Sequence, residues 1–127
     1  MGLNECDLEK IRLVAAFLVK NYKYHCTHQQ LAAKAGTNES KLRVGFKQLH
    51  NCTIHEYLME FRIGKVKELL LTTDWALQII AVYTGFKNSS QLIKSFKKST
   101  TLTPLVWKAN KKTDLTINKT DLTILRQ

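Results

Sequence analysis

Two stretches of this chain read almost alike: LAAKAGTNESKLRVGFKQ over residues 31–48 and IAVYTGFKNSSQLIKSFKK over residues 80–98. Leu31, Ala32 and Gly36 align with Ile80, Ala81 and Gly85 at an offset of 49. Past the glycine the offset becomes 50, so that Leu42 meets Leu92, Phe46 meets Phe96, Lys47 meets Lys97, Thr53 meets Thr103 and Tyr57 meets Trp107. The second copy thus has one residue inserted in its turn. Two copies are too few for a solenoid; they fit a duplicated supersecondary unit. In each, a short apolar-striped segment, a glycine suited to a left-handed turn, and a second amphipathic segment predict helix, turn, helix.

The flanking sequence extends the helical reading. One Pro and five Gly in 127 residues leave few breaks, and the apolar residues recur at helical spacing, which predicts an all-α protein. A first helix is expected from Leu8 to Tyr22, with Asp7 as N-cap and Ile11, Val14, Ala15, Leu18 and Tyr22 as its apolar stripe. Thr27-His-Gln-Gln30 forms a capping-box pattern opening helix 2, and Gly36 ends that helix. Asn38 caps helix 3, whose inner face is Leu42, Phe46 and Leu49 and which Asn51 ends. Thr53-Ile-His-Glu56 is a second capping box, opening a long helix 4 to about Leu71. Helix 5 spans Ala76 to Thr84 and helix 6 Ser89 to Thr100; helix 7 begins at Pro104 after Thr103 as cap.

These elements divide the chain into a first helix-turn-helix subdomain (8–52), a linker helix (53–74), a second subdomain (75–112) and a tail (113–127). In the tail, TDLTINK is followed by TDLTILR, an alternation that favours a strand. Nothing else in the chain looks ready to pair with it. It reads as a flexible or cloning-derived appendage, with a partner-binding strand as the alternative.

Charge sharpens the functional reading. The net charge is +10. Residues 27–52 hold four Lys/Arg and one Glu, and residues 84–112 hold seven Lys and no acid. The positive charge sits in the two copies, the footprint of a polyanionic partner, nucleic acid first. The bland alternative is a solvated basic surface. Cys6, Cys26 and Cys52 form no CxxC pair, which reads as reduced thiols in a cytosolic protein. No charged and apolar leader opens the chain, and no run spans a membrane.

A helix-turn-helix leaves one face of its second helix free for base edges. In helix 3 that face is Ser40, Arg43, Val44 and Lys47; in helix 6 it is Ser89, Ser90, Lys94 and Lys97, edged by Gln91 and Ile93. Arg43 can hydrogen-bond guanine. Lys47, Lys87, Lys97 and Lys98 suit phosphates, which position without specifying sequence. Ser40 and Ser89 could serve only as helix-start residues. A helix 4 of roughly 27 Å, at ~1.5 Å per residue, could hold two recognition helices one turn of B-DNA apart, ~34 Å.

With LAAKAG, LRVGFK, EYLMEFRIGKVKELLLTT, IIAVYTGFKNSSQLIKSFKK and then LTP with Trp107 and Lys108, the chain resembles the DNA-binding domain of the AraC/XylS transcriptional regulators over about residues 8–109. The resemblance implies two helix-turn-helix units binding adjacent major grooves. It implies base contacts from Ser40, Arg43, Val44, Ser89, Ser90 and Lys94, and phosphate contacts from Thr27, Lys47, Lys87, Lys97 and Lys98. It implies double-stranded DNA as partner, RNA polymerase as a further one, a bacterial cytoplasm, and no cofactor. This chain would act as a monomer, and a longer parent protein as a dimer.

Four departures from the family pattern stand out. Val44 replaces a frequent Arg; it can meet a thymine methyl and cannot take a bidentate guanine contact. Thr101 stands where a Gly commonly ends the second recognition helix, so a differently built turn is expected, since a β-branched residue is costly at positive φ. Val66 replaces the usual Ala, and Gly64 in mid-helix costs about 1 kcal/mol relative to Ala. Most members also carry a sensor domain; the chain is read as a fragment of such a protein rather than as a stand-alone regulator.

Chemistry other than binding finds little support. His25, Cys26 and His28 lie too close together to face one ion, and no distant partners complete a zinc set. Some DNA-repair alkyltransferases resembling this family place a zinc-held Cys upstream, where Cys6 lies, but the four thiolates are missing. No paired carboxylates or Ser/His/Asp arrangement appears, so the chain is read as non-enzymatic. Arg62 is expected to pair with an acid between helices, and Trp75, Trp107 and the Phe residues to be core. The competing reading is a protein-interaction or nonspecific DNA-binding module reusing the fold.

Overall fold

The computed structural model describes residues 3–113. Six helices run in order: α1 (Glu5–Lys20), α2 (His28–Ala35), α3 (Glu39–His50), α4 (Ile54–Thr72), α5 (Leu77–Tyr83) and α6 (Ser89–Thr100). A seventh, α7, covers residues 104–113. No strand occurs among the described residues. The repeated tail sequence, from residue 114 on, lies outside them.

The first helix starts earlier than its sequence pattern indicates. Asn4, not Asp7, is the N-cap: its Oδ1 accepts the Asp7 N–H at 2.8 Å. Asn and Asp cap almost equally well, so the two candidates three residues apart compete, and the outer one adds a turn. Asp7 instead places its charge in the first turn, beside the positive end of the helix dipole. The helix ends at Lys20, short of Tyr22.

Both capping boxes form. Thr27 Oγ1 accepts the Gln30 N–H at 3.1 Å and Gln30 Oε1 accepts the Thr27 N–H at 2.9 Å. Thr53 and Glu56 make the same exchange at 3.1 and 3.2 Å at the start of α4. Gly36 closes α2 with φ 73° and Asn51 closes α3 with φ 59°.

The described residues divide into two compact units: residues 3–62 with 83–85, and residues 63–82 with 86–113. The first unit's core is Ile11, Val14, Ala15 and Leu18 of α1, Leu31 and Ala32 of α2, Leu42 and Phe46 of α3, and Ile54 of α4. Burying each large apolar side chain contributes about 1.5–3 kcal/mol. Phe46 meets Tyr57 edge-on at 5.3 Å between centroids. Gly45 is buried because α3 approaches α1 there: a Cβ at Gly45 would collide with the Ile11 side chain.

Arg62 is structural, through bonds that include two backbone carbonyls of the α1–α2 connection. Its guanidinium donates to the Tyr22 oxygen at 2.7 Å and the Tyr24 oxygen at 3.3 Å. Burial lowers its pKa from the ordinary arginine value. Gly85, also in the first unit, backs this clasp: a Cβ there would lie 2.8 Å from the Tyr22 oxygen and 2.9 Å from Arg62 Nε. Lys23 sits 3.5 Å from the centroid of the Tyr83 ring, a cation–π contact in the same unit.

In the second unit Ile63, Val66, Leu70, Ile80, Ala81, Phe86, Leu92, Phe96 and Trp107 are buried. Trp107 of α7 meets Phe96 of α6 edge-on at 5.8 Å. Trp75 is not core: it is 42% exposed, lying in the short connection between α4 and α5 where no helix face turns it inward.

Candidate nucleic-acid interface

The two second helices of the repeat, α3 and α6, are built alike. Asn38 Oδ1 accepts the Lys41 N–H and Asn88 Oδ1 accepts the Gln91 N–H, each at 2.8 Å. Each cap satisfies one amide that would otherwise face solvent or DNA unpaired. Each helix then turns its pair of large apolar residues inward: Leu42 and Phe46 in α3, Leu92 and Phe96 in α6, all at most 1% exposed. That burial fixes the rotation of the helix about its axis and decides which side chains face out.

On α3 the outward residues are Ser40, Arg43, Val44 and Lys47, all exposed, with Val44 at 53%. They lie at i, i+3, i+4 and i+7, one continuous stripe. On α6 the outward residues are Ser90, Lys94, Lys97 and Lys98, and Ser89 is half-buried. Lys87 is exposed in the turn just before α6, and Thr27 is exposed at the start of α2.

Some side chains at the start of α6 are already occupied. Gln91 Oε1 accepts the Lys87 N–H at 2.6 Å, tying down the longer turn. Thr27 Oγ1 accepts within its capping box, which leaves its hydroxyl hydrogen as donor. Arg43 has no hydrogen-bond or ion-pair partner among the described residues, so its fork of donors is available to a ligand.

Thr101 does not alter the turn after α6. It adopts the left-handed conformation itself, φ 66° and ψ −2°, and its N–H donates to the Lys97 oxygen at 2.8 Å. The neighbouring Thr100 hydroxyl lies 2.9 and 3.0 Å from the Phe96 and Leu102 carbonyl oxygens, which share its single hydrogen, and accepts the Leu102 N–H at 3.2 Å. These contacts hold the turn in spite of the β-branched residue.

Two features escape a reading of the sequence by period. Arg62 reaches carbonyls about forty residues away, which no local pattern encodes. Trp107 is flanked by Lys67 and Lys111 at 5.7 and 5.9 Å from its ring centroid, so cations of α4 and α7 converge on one buried indole. No group of three or more His, Cys, Asp or Glu able to hold a metal occurs among the described residues. No helix among them is long and apolar enough to cross a membrane.

Known proteins share this arrangement. The family model described as a helix-turn-helix domain matches residues 31–110. The chain is 29% identical over 112 residues to the bifunctional transcriptional activator and DNA repair enzyme AdaA of Bacillus subtilis (strain 168), covering 88% of this chain and 53% of AdaA. It therefore spans about half the length of that relative. The crystal structure of the DNA-binding domain of AdpA, a global transcriptional factor in complex with a target DNA, superimposes with a TM-score of 0.77 at 20% identity, covering 83% of this chain and 95% of that one. An AraC-type regulator from Chromobacterium violaceum gives 0.74 at 20% identity over 84% and 95%.

Proposed function

We propose a function from one premise: the chain belongs to the AraC/XylS family of helix-turn-helix DNA-binding domains. It binds double-stranded DNA in a sequence-dependent way and serves the regulation of transcription. The observation that carries this is the twice-built reading helix. Two capped helices bury the same apolar pair and turn a polar, basic face outward, and the basic charge of the chain is concentrated around them.

In this reading α3 and α6 enter successive major grooves. Ser40, Arg43, Val44, Ser89, Ser90 and Lys94 meet base edges, while Thr27, Lys47, Lys87, Lys97 and Lys98 meet phosphates. A single chain then reads an asymmetric, two-part site as a monomer. RNA polymerase is a further partner, a longer parent protein supplies dimerisation, and the bacterial cytoplasm is the site of action. The work is binding, not catalysis.

The test is selection of sites from a randomised DNA pool at near-physiological salt. Two enriched, non-palindromic half-sites about ten base pairs apart are expected. A salt titration on the selected duplex should show log affinity falling against log salt by about 0.9 for each phosphate contact. Binding with no enriched sequence would reduce the chain to a nonspecific DNA binder. Affinity insensitive to salt would point to a protein-interaction module.

A further inference from the structure

We infer that the two reading helices divide the labour unequally: α3 sets which sequence is bound, and α6 with its turn chiefly sets how tightly any DNA is bound. This rests on the two-groove reading just given. It follows from what each exposed face holds. The α3 stripe offers three different chemistries. Arg43 presents a planar fork matched to guanine O6 and N7. Val44 is branched, apolar and 53% exposed, suited to a thymine methyl and to nothing on a phosphate. Ser40 is a short hydroxyl. Glu39, exposed in the first turn, weakens phosphate attraction at that end.

The α6 face offers mostly one chemistry. Lys87, Lys94, Lys97 and Lys98 are exposed ammonium groups, compact charges without a fixed fork. The groups there that could read bases are mostly committed. Gln91 Oε1 holds the Lys87 amide, Asn88 Oδ1 holds the Gln91 amide, and Ser89 is half-buried. Ser90, Lys94 and the side-chain NH2 of Gln91 remain. No acidic residue lies between 84 and 112 to offset the lysines. Lysines on phosphates add affinity nearly equally on all sequences.

The experiment uses the full chain and a labelled duplex of its selected site, with every base pair substituted singly. Arg43→Ala should abolish preference at one position, and that position identifies the α3 half-site. Substitutions in that half-site should weaken binding about ten- to hundredfold, and those in the other half-site less than about threefold. Lys97→Ala and Lys98→Ala should each lower affinity by a similar factor on every sequence and reduce the salt slope by about one. Equal losses in both half-sites overturn the division of labour and leave the two-groove reading standing. So does a changed base preference in Lys97→Ala or Lys98→Ala, or none in Arg43→Ala. Lack of preference at every position overturns both.

Discussion

Gly36 and Gly85 hold the same step of the repeat, and their surroundings differ completely. Gly36 has φ 73°, and a Cβ added to it would meet nothing within 4 Å. Gly85 has φ 97°, and its Cβ would press on the Tyr22 oxygen and the Arg62 guanidinium. The first glycine is needed for a backbone conformation, the second also for the space it leaves. Identical letters in a duplicated motif therefore carry different physics once each copy has its own neighbours.

The sharpest way to break this comparison is to add the same methyl group to both. Gly85→Ala should destabilise by about 3 kcal/mol or more, because strain adds to displacement of a buried hydrogen-bonded cation. Gly36→Ala should cost about 1 kcal/mol, from the left-handed conformation alone. Chemical denaturation of both variants measures the two; equal losses would show that the Arg62 clasp yields freely. A double-mutant cycle adds detail. Gly85→Ala made in an Arg62→Ala background should cost less than in the parent, since two of the three atoms it presses on are gone.

The ends of the two reading helices give the next contrast. Asn51 and Thr101 both sit at positive φ, 59° and 66°. Asparagine tolerates that region and a β-branched residue does not. Thr101→Gly should stabilise by about 1 kcal/mol, whereas Asn51→Gly should change stability by no more than about 0.5 kcal/mol. If Thr101→Gly destabilises, the bond that the Thr101 hydroxyl donates to the Thr100 carbonyl outweighs the strain.

A last contrast belongs to α4, which contributes residues to both units. Gly64 is exposed, helical and has nothing within 4 Å of a built Cβ. Gly64→Ala should raise stability by up to about 1 kcal/mol. A thermal midpoint that falls instead would mean that the freedom of Gly64 is part of the native fold's stability.

Much of this was legible in the sequence because its signals are local. The Thr27–Gln30 and Thr53–Glu56 boxes, the Asn38 cap and the left-handed Gly36 need only a few consecutive residues to be recognised. So do the inward pairs Leu42/Phe46 and Leu92/Phe96, whose burial fixes which face of each helix reads outward. The start of α1 is placed too late by the sequence pattern, at Asp7, because Asn4 is an equally good cap. Trp75 looked like core by type alone, but a connection gives it no buried face. The carbonyl partners of Arg62 and the close approach at Gly45 were invisible, since both depend on residues brought together from thirty or more positions apart.

The first unit is discontinuous in the chain, and that has a consequence during synthesis. Its residues 3–62 leave the ribosome well before 83–85, which complete it. Until Gly85 has emerged, the Arg62–Tyr22 clasp lacks its backing. The first unit therefore reaches its final form only after the second copy of the motif has been started. A nascent chain halted between the two would hold a half-finished unit, and translation speed through residues 63–85 sets how long that exposed interval lasts.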